Sequence, residues 1–337
     1  MNYKVSILVP IYGVEKYIEK CARSLFEQDY DNLEYVFVDD CTLDNSIQLL
    51  EKTLCDYPRR REQVRIVKHE KNRGLGAARN TAVHNATGLF IMHCDSDDWM
   101  DTRAVSLLVE RQLATDADIV SGKAIMVTEQ SRKEIEEPPY GDREELLINL
   151  LGSNYSLSHT LWRRLIRASL YHNHHIEVCE GLDMGEGGQV TAKLVYFAKN
   201  IARINKVVYY YNCENSTSYC RRFETNKDLW QQYLNSYEIL RVFFEDKEKK
   251  YYIAASENVI YEYWVCAHYA AKQREKVFFE KCKAAIKREY ANYQYVLGYR
   301  NPLKKWFQQQ YWVYGTFLRM RSFVYKRVKR VFELNEL

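Results

Sequence analysis

The sequence has no apolar run approaching the ~18 residues that a membrane-spanning helix needs. Proline and glycine are sparse, 5 and 13 in 337 residues, which excludes collagen-like and proline-rich classes. No two of its nine cysteines (21, 41, 55, 94, 179, 213, 220, 266 and 282) stand in CxxC spacing, and the count is odd. A disulfide or zinc framework is therefore not expected; free thiols in a reducing compartment are. The first ten residues carry one lysine and run straight into an alternating strand, so no secretory leader is expected. What remains, 47% hydrophobic and 28% charged, is an ordinary globular composition with length for about two domains.

The net charge of +4 is unevenly spread. Residues 303–337 hold eight Lys/Arg and two Glu, a net +6, leaving −2 for the 302 residues before them. In the first hundred residues strand and helix signals alternate. Val5–Val9, Glu34–Val38, Val64–Val67 and Leu89–Met92 read as strands, with helical spacing over Tyr17–Gln28, Ser46–Leu54 and Gly76–Asn85. That alternation predicts an α/β fold on a mainly parallel sheet with right-handed crossovers, whose ligands bind at the carboxyl ends of the strands. Ala117–Val120 and Val207–Tyr211 read as further strands. Thr128–Gly141 reads as an excursion and Val190–Lys199 as a helix with its start near Gln189. From about residue 225 the pattern is helical: Leu229–Phe244, Tyr251–Lys272 and Lys276–Tyr290.

Chemistry-bearing residues gather at the strand ends. Asp95-Ser96-Asp97-Asp98 follows an apolar strand, and carboxylates crowded there repel unless a cation is present. Hard oxygen ligands suit Mg²⁺ or Mn²⁺. Taken alone, the triplet is weak evidence and reads better as an exposed acidic turn with Asp98 capping the next helix. Asp39-Asp40 ends another strand, where an Asp can accept a base N–H or a ribose hydroxyl. Between them lies Asn72–Asn80, whose glycines permit close backbone approach and whose Arg73 and Arg79 suit a diphosphate. His93 and the group His172, His174, His175 have unspecific spacing and read as non-ligands. Asn154 and Asn215 fall in glycosylation-type triplets without meaning in a cytoplasmic setting.

Val5–Tyr12, Tyr17-Ile18, Cys21, Ser24-Leu25 and Gln28, then Glu34–Ser46, Asn72–Asn80 and Gly88–Asp98, together resemble family 2 glycosyltransferases of the GT-A fold. A fainter likeness continues through Trp162–Leu165, Glu180–Leu182, Gly185-Glu186 and Tyr211–Ser218. The resemblance implies a GT-A catalytic domain over 1–220 and a helical C-terminal region over 221–337. It implies inverting, metal-dependent sugar transfer from a nucleotide-diphosphate donor, UDP by family habit, to a glycan or lipid-linked hydroxyl in surface polysaccharide synthesis. By the same resemblance Pro10 and Tyr12 flank the base, and Asp39 and Asp40 hold uracil or ribose. Arg73 and Arg79 lie near the diphosphate, Asp95 and Ser96 near the ribose or metal, and Asp97 ligates Mn²⁺ or Mg²⁺. The family's base is an Asp at the position of Gly187; here Glu186 is the first candidate and Asp183 the second. Gly13, Cys41-Thr42-Leu43 and Ala82 also depart from the family pattern. Two alternatives stay open: a nucleotide-sugar-binding protein without turnover, suggested by Gly187, and a nucleotidyltransferase, which would need a basic glycine loop after the first strand, where this chain has Pro10–Gly13.

The absence of Gln-x-x-Arg-Trp and of spanning segments argues for a non-processive enzyme. The tail over 303–332 interleaves Trp306, Phe307, Tyr311, Trp312, Phe317 and Phe323 with Lys and Arg. Such a basic amphipathic pattern fits docking on an anionic membrane surface, so the protein is expected in the cytoplasm, peripheral on the inner face of the plasma membrane. The competing reading is a C-terminal helix packing on the enzyme. No nucleic-acid partner is expected.

Overall fold

The computed structural model describes residues 2–135, 140–152 and 159–293. In chain order the elements begin β1 (Val5–Ile11), α1 (Ile18–Phe26), β2 (Leu33–Asp39), α2 (Ser46–Leu54), β3 (Val64–Lys68), α3 (Leu75–Asn85), β4 (Phe90–His93) and β5 (Trp99–Met100). They continue α4 (Ala104–Thr115), β6 (Ile119–Val127), β7 (Arg132–Ile135), α5 (Arg143–Leu151), β8 (Arg164–Arg167) and α6 (Ser169–His174). The rest are α7 (Glu186–Phe197), β9 (Ile201–Asn212), α8 (Tyr219–Phe223), α9 (Lys227–Phe243), α10 (Lys249–Lys272) and α11 (Lys276–Tyr293).

Nine strands form one sheet in the order β3-β2-β1-β4-β8-β6-β9-β5, with β7 paired to β6. The expected parallel sheet is the β3-β2-β1-β4 half. Every residue of β1, β2 and β4 is buried, as a strand covered on both faces must be. Alternate side chains serve two cores. Val5, Ile7 and Val9 meet Ile18 and Leu25 of α1, while Leu8, Val36 and Val38 meet Ala78 and Ala82 of α3. Beyond β4 the sheet is mixed: β8 is antiparallel to β4 and β6, β6 is parallel to β9, and β5 is antiparallel to β9.

Three sequence expectations change. The start of α7 is Glu186, not Gln189, so the glycine-rich segment is already helical. The Thr128–Gly141 excursion contains β7, which forms a hairpin with β6; residues 136–139 lie outside the described residues. The last expected strand, Val207–Tyr211, is longer, twelve residues, because Ile201–Arg203 before it also pair with Ile119–Ser121 of β6. The chain divides into two compact units, Met1–Glu262 and Tyr263–Leu337. The second is helical as far as residue 293, and the basic tail over 303–332 lies outside the described residues, as does Asn154. Among the described residues no helix is long and apolar enough to cross a membrane.

Candidate active site

The acidic triplet leaves β4 and serves three separate purposes. The side chain of Asp98 is 1% exposed and committed: Tyr209 Oη donates to Oδ2 at 2.7 Å and the Asn212 amide to Oδ1 at 2.7 Å. It is a buried anchor, not a surface helix cap. Burial and its two acidic neighbours hold its carboxyl well above the usual range. Tyr209 also accepts from the Asp95 amide at 3.0 Å, so one hydroxyl ties both ends of the triplet to β9. Asn215 Nδ2 donates to Asp97 Oδ2 at 2.7 Å, and Asn212 Nδ2 donates to the Asp97 carbonyl at 3.1 Å. Burial, then the charge of Asp95, pushes the Asp97 carboxyl up. Ser96 is buried between them. A cleft of about 240 Å³ opens beside Asp97, lined among others by Lys16, Lys20, Trp99 and Asn212.

The paired acids after β2 face different ways. Asp39 Oδ1 accepts from the Thr42 amide at 2.8 Å. Asp40, 3% exposed, accepts from the amides of Arg73 and Gly74, both at 2.8 Å, and bonds His69 Nδ1 at 2.6 Å. From the other side, Asp183 Oδ1 accepts from the Gly76 amide at 3.1 Å. Three backbone donors at the head of α3, those of Arg73, Gly74 and Gly76, are thus taken by the protein's own carboxylates, which hold the glycine segment in place. Arg73 pairs with Glu180 at 2.5 Å on the surface.

Arg79 is the electrostatic centre. It projects from α3, its side chain 4% exposed, and Nη2 reaches Asp95 Oδ1 at 2.8 Å and Glu186 Oε1 at 3.3 Å. Its Nε and Nη1 are buried without hydrogen-bond partners. Unsatisfied buried donors are costly in a protein interior. Glu186 heads α7, and burial raises its pKa against the opposing pull of Arg79. Asp183 carries a different load: Tyr219 Oη donates to Oδ2 at 3.0 Å, and its own amide donates to Gln232 Oε1 at 3.0 Å. Gly187 is favoured for a steric reason, because a Cβ there would lie 2.8 Å from the His159 carbonyl oxygen and something would have to shift. Pro10 is buried at the end of β1, and Tyr12 projects beyond it, about half exposed.

The sequence reading did not find the Arg79–Glu186 pair, the Tyr209 and Asn215 supports, or the tie from His69 to Asp40. His93 bonds Tyr171 at 2.9 Å, and His174 stacks on Phe197. Among the described residues no three His, Cys, Asp or Glu side chains converge as a metal cage. The chemistry still fits Mg²⁺ or Mn²⁺ bound by one or two carboxylates plus ligand phosphates: a cation beside Asp97 and Asp95 would offset the burial, and the repulsion from Asp95, that together raise the Asp97 carboxyl. Cys21 and Cys94 lie buried with sulfurs 3.9 Å apart and are free thiols, as are all nine cysteines.

Comparison with known proteins agrees with this fold. The "Glycosyl transferase family 2" model matches residues 6–175, half of the chain. The chain is 28% identical over 219 residues to glycosyltransferase GlyA of Streptococcus pneumoniae, 62% of this chain and 30% of that protein. It is 30% identical over 220 residues to the poly(ribitol-phosphate) beta-N-acetylglucosaminyltransferase TarS of Staphylococcus aureus, 62% of this chain and 35% of that protein. The chain thus spans about a third of the length of these relatives. The crystal structure of TarS residues 1–349 with UDP-GlcNAc superposes with a TM-score of 0.56 at 22% identity, over 88% of this chain and 93% of that one. The mannosyltransferase PcManGT of Pyrobaculum calidifontis, with GDP-Man and Mn²⁺, gives 0.57 at 15% identity, over 99% and 88%. The GT-A architecture and the family match agree with one another: the chain belongs to glycosyl transferase family 2.

Proposed function

We propose that the protein transfers a sugar, with inversion, from a nucleoside-diphosphate donor to a hydroxyl of a glycan or lipid-linked acceptor in surface-polymer synthesis. UDP-sugars are the first donors to test. The observation that carries this reading is the single guanidinium of Arg79 bridging Asp95, in the acidic triplet, and Glu186, at the head of α7. It brings a donor-side acid and a candidate base to one buried cation. Asp39, with Pro10 and Tyr12, meets the nucleoside, and Asp40 acts by shaping the loop above it. Asp97 and Asp95 would hold Mg²⁺ or Mn²⁺, which supplies positive charge to the departing diphosphate.

Glu186 removes the acceptor proton as the acceptor oxygen bonds to the anomeric carbon and the bond to the diphosphate oxygen breaks. Its raised pKa brings it nearer to the working pH, which suits a general base. Arg79 keeps it ionised despite burial and fixes its orientation. The membrane-surface role of the tail belongs to the same proposal, since a lipid-linked acceptor would be presented there.

The test measures nucleotide binding by calorimetry and nucleoside diphosphate release from a donor panel, with Mn²⁺ and with a chelator. Glu186→Gln should lower kcat by about 10²–10⁴ while leaving nucleotide affinity in place. Wild-type turnover in that variant would remove Glu186 as base. Donor binding without turnover would favour the binding-protein reading, and failure to bind any nucleoside diphosphate would reject the proposal.

A further inference from the structure

The turn that carries Glu186 is built from residues that hold no shape alone. Gly181 and Gly185 have φ of +80° and +85°, and two more glycines follow Glu186. Glycine-rich chain loses the most entropy on ordering, so something outside the turn must fix it. The contacts that do so repeat at a constant offset. Arg73 Nη2 meets Glu180 Oε1 at 2.5 Å, the Gly76 amide meets Asp183 Oδ1 at 3.1 Å, and Arg79 Nη2 meets Glu186 Oε1 at 3.3 Å. Each pair is 107 residues apart, and successive rungs advance three residues on both segments. The loop entering α3 and its first helical turn are thereby zipped to the turn entering α7.

We propose that this three-rung ladder sets the position of Glu186 beside Arg79, and that Asp183 is a positioning residue and not a base. The inference rests on the reading of Glu186 as the general base. The middle rung carries the load. The outer rung is an exposed pair of the kind that contributes little, and the inner rung is the reacting end. Asp183 uses both oxygens, one on Gly76 and one on Tyr219, and its amide on Gln232 of α9. Ser236 Oγ adds a bond to the Met184 carbonyl at 2.8 Å. Tyr219 and Gln232 therefore act through Asp183, which acts through the turn on Glu186.

The discriminating variants are Asp183→Asn, whose amide keeps an acceptor for Gly76 and a partner for Tyr219, and Asp183→Ala, which keeps neither. Hydrogen exchange of the 180–188 amides reads the ladder without turnover. Alanine should accelerate it about tenfold and asparagine should not. In turnover, alanine should lower kcat by about 10²-fold through misplacement of the base, with nucleotide Kd and the donor KM little moved, and asparagine should restore most of the rate. Unchanged exchange in the alanine variant overturns the ladder. Equal loss of kcat in both variants, with the acidic limb of the pH profile gone, makes Asp183 the base and overturns the assignment. If the wild-type protein releases no nucleoside diphosphate, the proposed function fails, and the exchange data still decide the ladder.

Discussion

Gly187→Ala tests whether the missing family Asp is a consequence of packing. An ideal Cβ at Gly187 falls 2.8 Å from the His159 carbonyl oxygen, about 0.5 Å inside an ordinary carbon–oxygen contact. That carbonyl is held: Thr191 Oγ1 donates to it at 3.0 Å, and the His159 ring is tied to Tyr237. Relief must come from movement of α7. Overpacking of this kind costs about 1–3 kcal/mol. Replacing glycine by alanine inside a helix returns about 1 kcal/mol at most, and less in the first turn. The clash wins, with a net loss of about 0.5–2 kcal/mol, or a Tm lower by about 2–6 °C for a unit of this size. Gly187→Asp should lose more, since the favourable helix-terminus interaction of a carboxylate is only about 0.3–1 kcal/mol. Urea denaturation followed by far-UV circular dichroism measures both. A Gly187→Ala protein as stable as wild type, or more so, would refute the steric argument and reopen position 187 to a carboxylate.

Two further outcomes follow from local chemistry. Cys41 holds φ +59° where the family pattern has glycine, a conformation that costs an L-residue about 1–2 kcal/mol; after the added unfolded-chain entropy of glycine, Cys41→Gly should stabilise by about 0.5 kcal/mol, and a lower urea midpoint would contradict this. Glu262 on α10 is buried, its Oε2 without a hydrogen-bond partner, and desolvation raises its pKa from 4.5 to about 8. The folded state therefore holds a proton that the unfolded chain releases, so stability falls as pH rises from about 4.5 to about 8, by at most about 5 kcal/mol from this group. Glu262→Gln should flatten that slope and gain most at pH 8.5; equal slopes in urea unfolding at pH 5 and 8.5 for the two proteins would exclude the buried acid as its source.

The parallel half of the fold was legible because its strands announce themselves. A strand buried on both faces is a continuous apolar run, and β1, β2 and β4 are such runs, each with acids or proline at its carboxyl end. β8 reads Arg-Leu-Ile-Arg and β5 is two residues long, so neither offers a period to detect. The adjacent acids Asp39 and Asp40 show a different limit. Their residue types are interchangeable, and only the fold decides that Asp40 turns inward to the Arg73 and Gly74 amides while Asp39 meets Thr42. The start of α7 was hidden because glycine at 187 and 188 argues against helix by propensity. The His159 carbonyl, distant in sequence, is what makes small residues necessary there.

The site as assembled does not stop where the family match stops. Residues 6–175 supply Asp39, Arg79, Asp95 and Asp97. The side chains that brace the site come later in the chain: Tyr209 and Asn212 on β9 and Asn215 after it hold the acidic triplet, and Tyr219 and Gln232 on α8 and α9 hold Asp183. Asn215 and Tyr219 are four residues apart, yet one touches the Asp97 carboxylate and the other the turn that carries Glu186. A short stretch of chain therefore spans from Asp97 to the turn that carries Glu186, and a change in its length would move one end of the site against the other. The compact unit runs through Glu262, which keeps that stretch with the sheet it serves.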